Sequence, residues 1–242
     1  MINKINLFLG NFLINKFVPN YLIKRIKFLK YNNLLIENDN LGRHIFGSIF
    51  FRFYEKAEIY FLKKYFRPIT TIDIGSGLGI LSGILKKKYK KNNFLSILVE
   101  PNKKNINFSK KLFKKNKIDK NTNFANYVFM FSPKKKIHFD LRNVLDSKII
   151  KSKKKNSKIK IIKFDDLKKK FKFKNFQIIL DIEGEEFNLN ENFLKNLNYC
   201  ERAIIEIHSK SQNKQKKLIN LIHKYSKLRF KEKKNFTFYF EK

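Results

Sequence analysis

The chain has one cysteine, no tryptophan, four prolines and eight glycines in 242 residues. Cys200 alone can form no intrachain disulfide and no cysteine-rich metal site, and a reducing, cytoplasmic setting is the natural expectation. Acids are scarce as well: 20 Asp and Glu stand against 55 Lys and Arg, a net charge of +35. Long apolar runs are missing. The opening "MINKINLFLGNFLINKFVPNYLIKRIKFLK" is interrupted by Asn6, Gly10, Asn11, Asn15 and Lys16, short of the roughly 18 apolar residues that span a bilayer, and no small-residue cleavage site follows. Two amphipathic helices split at Pro19 are expected, packed on the domain or a partner, or lying peripherally on an anionic membrane surface.

A charge this high ordinarily points to nucleic acid, because basic side chains gain affinity by releasing phosphate counterions. Arginine, the side chain suited to bidentate phosphate and base contacts, is the one in short supply, with seven in the chain. The excess is lysine, accompanied by abundant Asn, Ile and Phe and only three Ala, the pattern of A- and T-rich codons. The lysine runs at Lys86, Lys110, Lys151 and Lys168 fall in separate segments and read as solvated faces and loops. Nucleic acid is therefore not the favoured partner.

What is present alternates between two periods. "FRFYEKAEIYFLKKYF" (51–66) reads as a helix ending before Pro68, and "ITTIDI" as a buried strand. "GILSGILKKKYKK" is a helix, "FLSILVE" a second strand and "NKKNINFSKKLFKKN" a second helix. "NFANYVF", "KKIHFDL" and "KIKIIKF" suggest strands around a polar loop from Arg142 to Lys158. "DDLKKKFKF" offers Asp165 or Asp166 as a helix N-cap. Then "FQIILDI" and "RAIIEIH" are strands, "EEFNLNENFLKNL" and "SQNKQKKLINLIHKYSKL" helices, and "LRFKEKKNFTFYFE" a hairpin. The expected architecture is three-layer α/β with a Rossmann-like, mostly parallel seven-stranded sheet (51–242), preceded by a helical N-terminal extension (1–50). Ligands bind such sheets beyond the carboxyl ends of the strands, which selects Asp73, Glu100, Asp181, Glu183, Glu206 and His208.

Four of the eight glycines crowd into "TIDIGSGLGILSG" (Thr71–Gly83), three of them alternating behind Asp73. A dinucleotide loop needs G-x-G-x-x-G, but Ile80 follows Gly79; a P-loop needs G-K-[ST], but no Lys follows until Lys86. The pattern is D-x-G-x-G-x-G, which suits the amino-acid end of S-adenosylmethionine. Asp73 would accept from the cofactor ammonium, the backbone of Gly75, Ser76, Gly77 and Gly79 would approach it, and Glu100 would accept from both ribose hydroxyls.

"ILDIEGEE" (Ile179–Glu186) and "AIIEIH" (Ala203–His208), together with "IIKFDDL", the glycine loop and "VEPN", resemble the FkbM-like family of S-adenosylmethionine-dependent methyltransferases over roughly Glu55 to Lys210. D-x-E-G-x-E at Asp181, Glu183, Gly184 and Glu186 is the most specific element. Ile179 stands where the family often has Lys. The resemblance implies O-methylation of a hydroxyl on a small molecule or glycan, with Glu55 reaching the cofactor. His208 is the first choice of general base, its ordinary pKa lying near 6.5. Asp181 and Glu183 would orient the acceptor or the cofactor, and Glu206 has no assigned role. His44, His138 and His223 lack carboxylates at ligand spacing, so no metal site is expected in the chain. The competing expectations are an RNA methyltransferase, and a non-catalytic basic protein binding membrane or nucleic acid on the same scaffold.

Overall fold

The computed structural model describes residues 12–38, 41–131, 138–140, 148–150 and 160–242. Helix α1 covers 12–17 and α2 covers Asn20–Arg25, separated at Pro19 as the sequence predicts. The extension is not helical throughout, however. Strands β1 (Phe28–Tyr31) and β2 (Leu34–Glu37) form an antiparallel hairpin before α3 (Arg43–Phe50). Its turn residues Asn32 and Asn33 both take positive φ, 47° and 67°, as a two-residue hairpin connection of this hand requires. Helix α4 starts only at Lys56 (Lys56–Tyr65), because Phe51 caps α3 and the backbone turns through Arg52 and Glu55 at positive φ.

The sheet is built from β3 (Thr71–Ile74), β4 (Ser96–Val99) and β5 (Thr122–Ala125), then β10 (Phe176–Leu180), β11 (Cys200–Glu206), β12 (Arg229–Lys234) and β13 (Thr237–Glu241). Their spatial order is β12-β13-β11-β10-β3-β4-β5. The five strands from β11 to β5 are parallel, and β13 is antiparallel to both its neighbours. Chain order runs outward from β3 in one direction and resumes at β10 on its other side. That reversal makes the ends of β3 and β10 the topological switch point. Strands β6 (Val128–Phe129) and β9 (Ile161–Ile162) pair with each other outside this sheet, as do β7 (His138–Asp140) and β8 (Lys148–Ile150). Lys148–Ile150 is thus a strand inside the stretch expected as loop, most of which lies outside the described residues.

Apolar side chains alternate along each strand between two cores. Ile72 and Ile74 of β3, Ile178 and Leu180 of β10 and Ala203 and Ile205 of β11 pack with α7 (Phe164–Phe171), α8 (Glu191–Asn196) and α9 (Gln212–Tyr225). Ile179 and Ile204 face the other way, onto α4, α5 (Ile80–Lys88) and α6 (Lys103–Lys115). Ile14, Ile23, Leu29, Leu34, Ile36 and Phe46 of the extension are buried in that second core. By the same alternation Asp73, Asp181 and Glu206 are placed on the α4 and α5 side. Helix α7 is capped by Lys163, so Asp165 and Asp166 occupy its first turn rather than the N-cap. There they complement the positive end of the helix dipole. Among the described residues no helix is long and apolar enough to cross a membrane.

Candidate active site

Strand β3 ends at the glycine loop. Gly75 sits at φ +79°, and a Cβ there would fall 1.7 Å from the carbonyl oxygen of Asp181, so no other residue fits. The loop is thereby held against the end of β10. Gly77, at φ +51°, faces open space and donates its N–H to Glu100 Oε2 at 3.0 Å. Gly79 is the residue before α5, and the Ser76 hydroxyl is buried without a hydrogen-bond partner.

Glu100 closes β4, and Asn102 N–H (2.8 Å) and the Asn105 amide (3.3 Å) donate to its Oε1. Asp73 is turned into the protein, where its Oδ2 accepts from Ser82 of α5 at 2.6 Å. Burial pushes both carboxyls up to about 7, although these donors favour the charged form. Asp73 and Glu100 Oε2 retain lone pairs for a further donor.

The second half of the site is assembled around His208. Its Nε2 lies 3.5 Å from Asp181 Oδ1, 3.6 Å from Glu206 Oε1 and 3.8 Å from Glu183 Oε2. Its Nδ1 lies 3.4 Å from Glu186 Oε1. Glu186 is fully buried and holds both ends of this arrangement, accepting from His208 N–H (2.6 Å) and Gly184 N–H (2.8 Å). Glu183 and Gly184 are both left-handed, φ 50° and 103°, which turns the chain back so that Glu183 and Glu186 face the same imidazole. Burial alone would lower the pKa of His208, but Glu186, Asp181 and Glu183 outweigh it and the net shift is upward. Burial pushes Asp181 up to about 7 against the opposing pull of His208. Glu206 is raised well above its ordinary range by burial and by Asp181 and Glu58.

Glu55 and Glu58 complete the wall from α4. Glu55, the N-cap residue of α4, is raised strongly by burial, then by the charges of Glu58, Asp181 and Asp73. Glu58 accepts from the Thr237 hydroxyl of β13, and its Oε2 is buried without a partner.

No protein family and no curated protein matches the sequence. Solved structures do match. The FkbM methyltransferase of Methylobacillus flagellatus superposes with a TM-score of 0.52 at 13% identity, covering 81% of this chain and 52% of that one. The fold is that of a methyltransferase. The chain spans about half the length of that FkbM protein. Two other methyltransferase-type structures match less well: the N-terminal domain of human METTL16 (TM-score 0.41, 12% identity, 72% of this chain and 62% of that one) and M. capricolum TrmK with S-adenosylhomocysteine (TM-score 0.35, 16% identity, 76% and 65%).

On this methyltransferase fold every residue selected from the sequence lies at the switch point or on the loops beside it. Asp73, Gly75, Ser76, Gly77, Gly79 and Glu100 form one group; Asp181, Glu183 and His208 form the other, and Glu55 caps α4. Sequence reasoning left Glu206 without a place and overlooked Glu58, Ser82 and the anchoring role of Glu186. Glu206 was within reach of the pattern, because residues two apart on a strand share a face and His208 is its i+2 neighbour. Glu58 comes from a helix far off in sequence, and no local signal marks it.

Proposed function

We propose that the chain is an S-adenosylmethionine-dependent methyltransferase acting on a hydroxyl oxygen of a small molecule or glycan. The observation that carries this reading is the contact between Gly75 and the Asp181 carbonyl. It sets the glycine loop directly against a buried His–carboxylate cluster that can handle a proton.

The residues fit the cofactor. Gly77 leaves open space where a Cβ would stand, Ser76 offers an orphaned hydroxyl, and Glu100 is fixed at the loop mouth with lone pairs to spare. When bound, S-adenosylmethionine supplies an electrophilic methyl group on a sulfonium. Glu100 would accept from the ribose hydroxyls, while Asp73 and Glu55 complement the amino-acid and sulfonium charge. An alcohol needs a proton acceptor to become a good nucleophile. Nε2 of His208 takes that proton, and the imidazolium formed is stabilised by Asp181, Glu183 and Glu206 around it. Glu186 keeps the ring oriented so that acceptance happens at Nε2.

Calorimetry tests the first half: S-adenosylmethionine should bind the unmodified chain and bind Glu100→Ala at least tenfold more weakly, and equal affinities would overturn the cofactor assignment. A screen of sugars, lipids and RNA with a radiolabelled methyl donor tests the second. Incorporation into RNA alone would replace the hydroxyl acceptor with a nucleic acid.

A further inference from the structure

The imidazole of His208 faces more carboxylate than a base requires. One N–H points along one line, yet three carboxylate oxygens surround Nε2 at 3.5, 3.6 and 3.8 Å, all beyond ordinary hydrogen-bond length. Near-equal spacing around one nitrogen suggests donors arranged about a common centre. In a tetrahedral site with bonds of about 2.1 Å, ligand atoms stand about 3.4 Å apart. One donor atom from each of Asp181, Glu206 and His208 lies within 4.8 Å of the others.

Two further features match the same chemistry. A metal-bound imidazole almost always has its second nitrogen against a carboxylate, which fixes the ring and makes the first nitrogen a better donor. Glu186, fully buried and anchored by two backbone N–H groups, stands 3.4 Å from Nδ1. The carboxylates also carry orphaned oxygens. Asp181 Oδ1 has no hydrogen-bond partner and no solvent access, and neither has Oε2 of Glu58, a side chain only 3% exposed whose charge acts on both Asp181 and Glu206. Elsewhere, the described lysines and arginines in ion pairs spend themselves on Glu37, Glu191, Glu201, Glu232 and Glu241.

We propose that Asp181, Glu206 and His208 form a binding site for a first-row divalent cation, with Glu186 holding the imidazole from behind. One nitrogen and two carboxylates suit Zn2+ or Mn2+ better than Mg2+ or Ca2+, which take oxygen ligands. Three protein ligands leave coordination positions open, where an acceptor with oxygen donors would be held. With the cation in place Nε2 gives its lone pair to the ion, and Glu183, outside the triad, is the group left to take a hydroxyl proton. This rests on the reading above only for where the acceptor sits. Metal binding is measured without methyl donor or acceptor, so its failure leaves the methyltransferase reading and its Nε2 base standing, while its success keeps methyl transfer and moves the proton acceptor from Nε2 to Glu183.

The test is titration of the chelator-treated full chain with Mn2+, followed by electron paramagnetic resonance of the free ion. One saturable Mn2+ per chain is expected, displaced by Zn2+ and bound at least tenfold more weakly by Glu206→Gln and Asp181→Asn variants that melt cooperatively. In the unmutated protein the spin echo of bound Mn2+ should carry modulation from one directly bonded imidazole nitrogen. Absence of saturable binding, a bound ion without nitrogen modulation, or unchanged affinity in both variants would each overturn the site.

Discussion

Two regions of this molecule handle charge in opposite ways. The surface is crowded with lysine, and its acids pair with lysine in water: Lys195 with Glu191 at 2.7 Å and Lys64 with Glu232 at 3.0 Å, all four side chains about a third exposed or more. The cleft at the switch point collects Glu55, Glu58, Asp73, Glu100, Asp181, Glu183, Glu186 and Glu206, eight of the chain's 20 acids. Most are held out of water by the surrounding core, and several are pushed toward the neutral form by burial. Solvent screens the surface pairs, which contribute little to stability. In the cleft the same charges are desolvated, so a cation arriving there gains what the surface dissipates. The net charge therefore describes the surface and conceals the chemistry of the interior.

The contrast can be broken at its base by Gly75→Ala. With 1.7 Å to the Asp181 carbonyl, the added methyl must displace β10 or the loop, and binding of S-adenosylmethionine should fall by more than a hundredfold in calorimetry. His208→Ala, which removes the group at the centre of the acids, should lower turnover by about a hundredfold or more. Its cofactor affinity should change far less, as single-turnover kinetics and calorimetry together would show.

The comparison is sharpened by pH. Asp73 and Glu100 are raised from the ordinary carboxylate range to about 7 in the folded chain. Between those limits the folded state holds more protons than the unfolded state. The free protein's stability should therefore be greatest at the acidic end of that window and fall as pH rises toward 7, then level off. Affinity for S-adenosylmethionine should run the other way, rising roughly tenfold from pH 6 to pH 8 as both carboxylates ionise. Thermal melting and calorimetry at three pH values would check both signs. At the small end, Lys195→Ala breaks an exposed i,i+4 pair and should leave the urea-denaturation midpoint essentially unchanged.

The sheet was legible because its strands announce themselves. "ITTIDI", "FLSILVE" and "FQIILDI" are short apolar runs closed by acids, with helix-period segments between them. The hairpin Phe28–Glu37 was not, since its strands are four residues each and its Asn32-Asn33 turn lacks the glycine that usually marks such a turn. Residues at strand ends were found because topology brings strand ends together. Glu58 was missed because its place depends on how α4 lies across the sheet, which is decided by packing of Phe61 and Leu62 rather than by local sequence. Expectations that fall on the first 11 residues, and on most of Arg142–Lys158, lie outside the described structure.

The close fit of Gly75 to Asp181 ties two binding events into one. On the proposed function, an acceptor bound at the end of β10 would press on the floor of the glycine loop, because a Cβ at Gly75 would already fall 1.7 Å from the Asp181 carbonyl. Thermodynamic reciprocity then requires the methyl donor to alter acceptor affinity by the factor with which the acceptor alters its own. On the proposed function, that coupling would be carried by a contact with no room for a single methyl group.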